Sequence, residues 1–314
     1  MIVDNIISKK TDIVSFPKKD DYDFFHIAFG VDESFIKPAG VTITSIIANN
    51  PEEFLHFHIF TSSILELDLT KIEEIKTNKI AITLYLVDST AFSTFQVREN
   101  LPISVYYRML SPEILKEVTD RVLYIDADIL CLNSISNLKE IDFKDNIICA
   151  VNHQEFSASH INSLNLKNNN YYFNAGVMLI NIPLWISNNI FDMFVNKITS
   201  QDFQYLDQDV LNILLEERVH YLSGKYNLFY SEKNTLLKDT IFMHFVGSPK
   251  PWKSWSPDIT LYLNYYRKSP WADVELELPL NYKHKKLYAK KLWNDKKYYQ
   301  SALWFSKYLI NKLL

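Results

Sequence analysis

Two aspartates at the end of an apolar stretch are the sharpest chemical feature of this 314-residue sequence. Val122–Ile125 is typical of a buried strand, and Asp126 and Asp128 follow it with Ala127 between them. Carboxylates at positions i and i+2 of an extended backbone point to the same face. At the carboxyl end of a parallel strand, that face opens into the crevice where α/β sheets bind ligands. The pair therefore predicts a divalent-cation site for a diphosphate, and the alternative is a polar turn that ends the strand.

A second segment, from His244 to Trp252, combines a histidine with a constrained basic loop. Gly247 allows close approach of a backbone, and Lys250 stands between two prolines that restrict the chain. Such a lysine supplies a point charge for phosphate. A lone histidine after an apolar strand is more often structural, but together with the two aspartates it forms a mixed oxygen and nitrogen site. That donor set favours Mn²⁺ over Mg²⁺.

Polar residues also interrupt two apolar segments further along the chain. Asn174 and the small Ala175 stand within a predicted strand, where a buried amide is either a structural bracket or a ligand for a sugar hydroxyl. Asp207 and Gln208 begin an apolar helix. Asp207 is then either a helix cap or, with Gln208, a second contact for sugar hydroxyls.

Composition excludes several classes of protein. The five glycines are scattered, which argues against a glycine-rich dinucleotide or phosphate loop: Gly30, Gly40, Gly176, Gly224 and Gly247. Cys131 and Cys149 lie in apolar surroundings and lack ligand spacing, so we expect reduced core thiols and no structural zinc site built on cysteines. Charged residues interrupt the start of the chain, and no run of about 18 apolar residues is present, so we expect neither a signal peptide nor a spanning helix.

The net charge of -4 is unevenly distributed. Residues 282–314 contain nine lysines, one aspartate and eight aromatic residues, so the rest of the chain carries about -12. Lysines and rings interleaved in this way are suited to an anionic bilayer surface. The alternative is a solvated helix that packs on the main domain through its rings. The acidic body argues against nucleic acid as a partner.

Short apolar runs alternate with amphipathic stretches, which predicts an α/β fold with a mainly parallel central sheet. We predict strands at Phe24–Gly30, Phe57–Phe60, Ile80–Val87, Arg121–Asp126, Ile147–Val151, Tyr172–Asn181 and Thr240–Val246. We predict helices at Pro38–Asn50, Ser63–Lys76, Ile103–Val118, Pro183–Thr199 and Gln208–Glu217, and a loop over the site from His153 to Asn170. The expected organisation is an N-terminal extension (1–23), a catalytic domain (24–270) and the basic aromatic segment (271–314).

In this order, these motifs resemble family 8 of the glycosyltransferases, and in particular the bacterial enzymes that extend the hexose region of the lipopolysaccharide core. The matching segments are His26–Asp32, Gly40–Ile46, Tyr106–Arg108, Asp126–Asp128, Phe173–Gly176, Leu206–Asp209, His244–Trp252 and Ser269–Trp271. The resemblance implies a single Rossmann-like nucleotide-sugar-binding domain of the GT-A type. Ser34 departs from the family, because relatives often carry an asparagine there near the base.

The resemblance also implies roles for individual residues. Asp126, Asp128 and His244 match manganese ligands, and Ala127 belongs to the same donor-binding segment. The uracil and ribose are expected at Gly30, Val31 and Asp32, and the donor sugar or its phosphate at Arg108. Around the transferred hexose we expect Asn174, Ala175, Asp207 and Gln208, and on the diphosphate Gly247 and Lys250. The residues expected to carry the catalysis are Asp126, Asp128, Asp207, Gln208 and Lys250.

The activity implied is a retaining, Mn²⁺-dependent transfer of glucose or galactose from UDP-glucose or UDP-galactose to a lipid-linked core oligosaccharide, forming an α linkage. No carboxylate is obviously placed as a nucleophile, so we expect the acceptor to attack from the same face as the leaving phosphate. The implied location is the cytoplasmic face of the bacterial inner membrane, with the C-terminal segment on the anionic surface. The alternatives are a transferase of the same fold acting on a capsule, an adhesin protein or a storage glycan, and a non-catalytic nucleotide-sugar-binding module.

Overall fold

The computed structural model describes residues 5–15, 22–75, 77–98, 101–153, 158–168, 170–231, 238–257 and 259–313. The strands are β1 Ile7–Val14, β2 Phe25–Gly30, β3 Leu55–Thr61, β4 Ile80–Val87, β5 Arg121–Ile125, β6 Ile129–Cys131, β7 Ile148–Asn152, β8 Phe173–Asn181, β9 Val219–Leu222, β10 Leu228–Phe229 and β11 Phe242–His244. The helices are α1 Ile36–Asn49, α2 Glu66–Glu73, α3 Leu110–Leu115, α4 Ala158–Ser163, α5 Ile182–Ser187, α6 Ile190–Ile198, α7 Leu206–Leu214, α8 Thr260–Tyr266, α9 Tyr282–Asn294 and α10 Tyr298–Leu313.

The central sheet has eight strands in the order β1-β4-β3-β2-β5-β8-β7-β9. β1 and β8 run against their neighbours, and the other six strands point in one direction, so the sheet is mixed and mostly parallel as predicted. β3 is buried along its whole length, and β2 and β4 almost so. This continuous burial is expected for parallel strands that are covered on both faces.

Most predicted elements are present, but β6, β9, β10 and α8 were not predicted, and four further differences follow. β1 was not identified from the sequence, because an edge strand with one exposed face carries Ser8, Lys9 and Lys10 instead of an apolar run. The stretch 103–118 begins as a 3-10 turn and becomes α-helical only at Leu110. The stretch 183–199 forms two helices, which meet at Asn189 with a φ of 51°. The predicted loop contains α4 in its described part, whereas residues 154–157 and 169 lie outside the described residues.

A second sheet of three strands, in the order β10-β11-β6, lies beside the main one. β11 pairs antiparallel with β6 in a register that places His244 opposite Ile129. Because Ile129 directly follows Asp128, this pairing brings the predicted histidine ligand to the turn formed by Asp126–Asp128, which is called the acidic turn below.

The C-terminal residues form a helical hairpin of α9 and α10, which contact each other extensively. The Ser301 hydroxyl donates to the Ala289 carbonyl at 2.7 Å, and the Tyr288 and Trp304 rings meet edge to face. The His284 ring stacks on Trp255, which joins the hairpin to the preceding part of the chain. Within the described ranges, no helix is long and apolar enough to cross a membrane.

Candidate active site

The three predicted metal ligands converge at the carboxyl edge of the central sheet. Asp126 follows β5, and its backbone N–H donates to the Gly176 carbonyl of β8 at 2.8 Å. The Asp128 carbonyl accepts from the Phe245 N–H at 2.9 Å, just after β11. As a result, one ligand atom from each of Asp126, Asp128 and His244 lies within 4.8 Å of the other two. The three side chains therefore form one cluster.

A buried asparagine orients the histidine of this cluster. The Asn227 amide donates to the Asn174 side-chain oxygen at 3.0 Å, so its own oxygen lies at the other end of the group, 2.9 Å from His244 Nδ1. An amide oxygen accepts only, so His244 Nδ1 carries a proton, and in the neutral ring Nε2 carries the lone pair. His244 Nε2 lies 3.2 Å from Asp128 Oδ1. The hydrogen bond from Nδ1 to Asn227 therefore orients the imidazole so that Nε2 can act as a metal ligand.

The space beside the cluster depends on a glycine. A Cβ at Gly176 would lie 2.5 Å from His244 Cε1, 2.7 Å from Asp126 Oδ2 and 2.9 Å from Asn174 Oδ1. Any side chain there would displace two of the three ligands. Two carboxylates, a correctly oriented imidazole and this free volume fit a divalent cation of the Mn²⁺ type.

Lys250 lies directly on the acidic turn. Its ammonium group donates to Asp128 Oδ2 at 2.5 Å and to the Phe245 carbonyl at 3.0 Å. Burial opposes ionisation of Asp128, but the protonated form of the neighbouring His244 and the Lys250 ammonium group outweigh it and hold the pKa of Asp128 well below the ordinary value. Asp128 is therefore ionised, and Lys250 is its counter-ion.

Arg108 connects the acidic turn to α7. Its guanidinium lies 3.2 Å from Asp126 Oδ1 and 2.9 Å from Asp207 Oδ2, and it donates to the Ala175 carbonyl at 2.6 Å. Burial alone would lower the pKa of Arg108, but the two carboxylates raise it, so the group stays charged. Burial raises the pKa of Asp207 to about 6, against the opposing effect of Arg108. The structure thus places Arg108, Ala175 and Asp207 next to the three predicted metal ligands.

Gln208 is fully engaged within the protein. Its amide oxygen accepts from Asn174 Nδ2 at 2.9 Å and from the Ala175 N–H at 3.2 Å, and its amide nitrogen donates to the Tyr172 hydroxyl at 3.0 Å. The Tyr172 hydroxyl donates in turn to Asp209 Oδ1 at 2.5 Å. The Gln208 amide is therefore held rigidly, and its orientation depends on the buried hydrogen bonds that run through Tyr172 to Asp209.

The other predicted residues lie at the end of β2, just after it, or within the acidic turn. Gly30 ends β2, the parallel neighbour of β5. A Cβ on Gly30 would lie 3.0 Å from the backbone nitrogen of Arg108. Val31 is buried, and Asp32 accepts from the Ser34 N–H at 2.9 Å. Ala127 is buried in the acidic turn, and its carbonyl accepts from the Thr42 hydroxyl of α1 at 2.9 Å.

Gly247 has a φ of 84°, and a Cβ added to it would meet no atom within 4 Å. A glycine is therefore favoured at position 247 by the left-handed backbone conformation and not by the closeness of neighbouring atoms.

Sequence reasoning missed two contributors to the site, Asn227 and His153, and the packing role of Gly176. Asn227 and Gly176 act on residues that are distant in sequence, and no local pattern shows what they do. His153 is buried with its ring stacked on Phe229 at 3.9 Å between centroids. Burial, followed by the nearby His244, lowers the pKa of His153 to about 4, so its ring is neutral. Because His153 and Phe229 are far apart in the sequence, no local pattern predicts that their rings stack.

Solved structures with the same fold share this arrangement of the chain. The galactosyltransferase LgtC, in complex with donor and acceptor sugar analogs, superimposes with a TM-score of 0.66 and 24% identity over 78% of this chain and 96% of LgtC. A bifunctional glycosyltransferase, WbbM, gives a TM-score of 0.69 at 19% identity and covers 82% of this chain and 52% of its own. The sheet, with its acidic turn at the carboxyl edge, has the GT-A fold.

Comparison of sequences is more specific. The model of glycosyl transferase family 8 matches residues 26–256, and that of the family 8 C-terminal domain matches residues 257–312. The chain belongs to glycosyltransferase family 8. It is 34% identical to a lipopolysaccharide 1,3-galactosyltransferase of Salmonella typhimurium, over 96% of this chain and 95% of the relative. It is 30% identical to a lipopolysaccharide 1,2-glucosyltransferase of Escherichia coli, over 94% and 93% of the two chains.

Proposed function

We propose that this protein transfers glucose or galactose from a UDP-sugar to the lipopolysaccharide core, with retention of configuration and therefore an α linkage. The observation that carries the proposal is the cluster of Asp126, Asp128 and His244 with Lys250 beside it, at the ligand-binding edge of a GT-A sheet. The full-length similarity to lipopolysaccharide galactosyl- and glucosyltransferases supports the acceptor.

In the proposed reaction, the bond between the anomeric carbon and the UDP oxygen breaks, and negative charge grows on the diphosphate. Mn²⁺ held by Asp126, Asp128 and His244 would neutralise part of that charge. Lys250 would move from Asp128 to the phosphate, a short displacement for a flexible side chain that already lies at the turn. Charge that develops only in the transition state is stabilised more there than in the bound donor, which accelerates the reaction.

Retention requires either a covalent intermediate or attack from the leaving-group face. A nucleophilic role suits none of the nearby candidates. Gln208 has an amide oxygen that already accepts two hydrogen bonds, and Asp209 is fully buried beneath Tyr172, which donates to it. Asp207 is paired with Arg108. We therefore favour attack of the acceptor hydroxyl beside the departing phosphate, with a phosphate oxygen taking its proton.

The α9–α10 hairpin supports a location at the membrane surface. Its exposed apolar side chains include Trp293 and Tyr299, which are 61% and 85% accessible, and they stand among the lysines of the segment. Rings at headgroup depth and lysines on lipid phosphates would hold the site near a lipid-linked acceptor. We propose a peripheral enzyme on the cytoplasmic face of the inner membrane.

The test is a transfer assay with UDP-glucose and UDP-galactose, with and without Mn²⁺, using truncated core lipopolysaccharide as acceptor. We expect Mn²⁺-dependent transfer from one donor and a loss of at least about 100-fold in kcat/KM for Asp128→Asn, because a ligand and an anion are removed together. Asp239→Asn, at an exposed carboxylate, serves as the control. Transfer that is independent of metal, or an active Asp128→Asn enzyme, would refute the metal assignment. Turnover only with a capsule or protein acceptor would refute the lipopolysaccharide assignment.

A further inference from the structure

A second cluster of metal-ligating side chains lies at the opposite end of the central sheet. His26 is the second residue of β2, and its register partner on β3 is His56, with His58 two residues further on the same face. All three imidazoles are buried, and one ring nitrogen from each lies within 4.8 Å of the other two. The acidic turn follows the carboxyl end of β5, whereas these histidines are near the amino end of β2 and in the first half of β3.

The facing nitrogens of His26 and His58 are already close to the spacing that a cation needs, and the third ring lies against them. His26 Nδ1 and His58 Nε2 are 2.9 Å apart, and the ring centroids of His56 and His58 are 3.9 Å apart. Two nitrogens on one tetrahedral cation, each bonded at about 2.0–2.1 Å, stand about 3.3 Å from each other. The first pair therefore needs to open by only a few tenths of an ångström.

Hydrogen bonds from the neighbouring strands orient two of the rings. The single hydroxyl proton of Thr83 goes to Asp12 Oδ1 at 2.6 Å, so its oxygen, 2.8 Å from His56 Nε2, must accept from that nitrogen. The neutral His56 ring then carries its lone pair on Nδ1. His58 Nδ1 lies 3.1 Å from the Tyr85 hydroxyl, which leaves Nε2 as the nitrogen that faces His26. Such outer partners fix ring orientation in histidine metal sites.

We propose that His26, His56 and His58 form a second cation site, selective for Zn²⁺ or a similar borderline metal, which ties β2 to β3. Three neutral imidazoles favour Zn²⁺, Co²⁺ or Cu²⁺ over Mn²⁺, in contrast to the two-carboxylate set at the acidic turn. One of His26 Nδ1 and His58 Nε2 carries the proton that the other accepts, so a cation that takes both nitrogens requires that proton to move to the other nitrogen of the same ring.

The experiment uses untagged full-length protein carrying Asp128→Asn, which weakens the cation site at the acidic turn. After removal of metal with a chelator, Zn²⁺ binding is measured by calorimetry, and Co²⁺ binding by visible absorption. We expect one equivalent of Zn²⁺, the intense visible bands of four-coordinate Co²⁺, and an increase in Tm on Zn²⁺ addition. Thr83→Val, which removes an orienting partner and no ligand, is expected to weaken Zn²⁺ binding by about 10-fold or more.

His58→Asn is expected to abolish Zn²⁺ binding and the Co²⁺ bands, and His220→Gln, at a half-buried histidine of β9, is the matched control. Loss of the fold in His58→Asn would not affect the conclusion, because the decisive measurement is on the variant that retains all three histidines. Absence of Zn²⁺ binding there would overturn the proposal and leave the cluster as a hydrogen-bonded core only. Equal loss of binding in His220→Gln would also overturn it.

Discussion

Gly176 lies on β8 beside the acidic turn, where any side chain would collide with the metal-ligating side chains. A methyl group there would come within 2.5 Å of the His244 ring and 2.7 Å of an Asp126 oxygen. The neighbouring Asn174 oxygen would be 2.9 Å away, so the new group has no direction in which to escape. The geometry of the metal ligands therefore depends on a residue that makes no side-chain contact of its own.

Gly176→Ala is expected to lower both Mn²⁺ affinity and kcat/KM by about 100-fold, because misplacing catalytic groups by up to 1 Å costs about that much. The protein is expected to fold, with a loss of about 1–3 kcal/mol from overpacking. Mn²⁺ titration by electron paramagnetic resonance and a UDP-release assay measure the two effects. Gly224→Ala is the control, because no atom lies within 4 Å of its added Cβ. Wild-type Mn²⁺ affinity in Gly176→Ala would show that the cation lies elsewhere.

The α9–α10 hairpin is the element whose sequence and structure point most clearly to a surface function. Its inner side is small and consists of residues such as Ala289, Leu292 and Tyr308, whereas most of its rings and lysines face outward. An isolated pair of helices with so small a core gains little from burial. Contacts such as the His284 ring on Trp255 hold it to the body and leave the outer face available for a bilayer.

Replacing four exposed lysines of the hairpin with glutamine, at 283, 286, 290 and 297, is expected to weaken binding to anionic vesicles by at least about 100-fold. Each lysine near such a surface contributes about 1 kcal/mol. Co-sedimentation with phosphatidylserine-containing vesicles measures the change. The matched control replaces four exposed lysines of the body, at 9, 116, 144 and 238. Equal loss in both variants would indicate a diffuse charge effect, and unchanged binding in the hairpin variant would refute the surface assignment.

Across the whole molecule, one tryptophan joins the catalytic body to the C-terminal family domain. Trp271 is fully buried, and its indole nitrogen donates to Asp68 Oδ1 at 2.6 Å. A Cβ on Gly40 of α1 would lie 2.0 Å from its ring. Lys71 of α2 also pairs with Asp273 at 3.0 Å, although that surface contact contributes little stability. The two family regions therefore share one core around the Trp271 ring.

Gly40→Ala is expected to destabilise the protein by about 2 kcal/mol or more, because a fully buried ring cannot move away from the new methyl group. Thermal unfolding followed by circular dichroism measures the change, which corresponds to a fall of several degrees in Tm. Activity at low temperature is expected to survive, since the atoms nearest to a Cβ on Gly40 belong to Trp271 and not to the acidic turn. Gly224→Ala again provides the neutral comparison, and equal Tm values for the two variants would contradict the packing argument.

The sequence by itself determined the types of residue that can bind metal and phosphate, and the strands that position them. Asp126, Asp128, His244 and Lys250 were predicted because acidic pairs after apolar strands and a basic residue between prolines have local chemical meaning. β4 was predicted with its observed bounds, because a strand buried on both faces appears as a continuous apolar run. Such properties depend on each segment's own residues.

Only the tertiary structure decided which of these segments meet and how their side chains are oriented. The reversed direction of β8, the edge strand β1 and the Asn227 bond that sets the His244 tautomer all join residues far apart in the chain. The pairing of His26 with the two histidines of β3 depends likewise on strand order and register. Neighbour choice follows from packing over the whole core, which no local periodicity encodes.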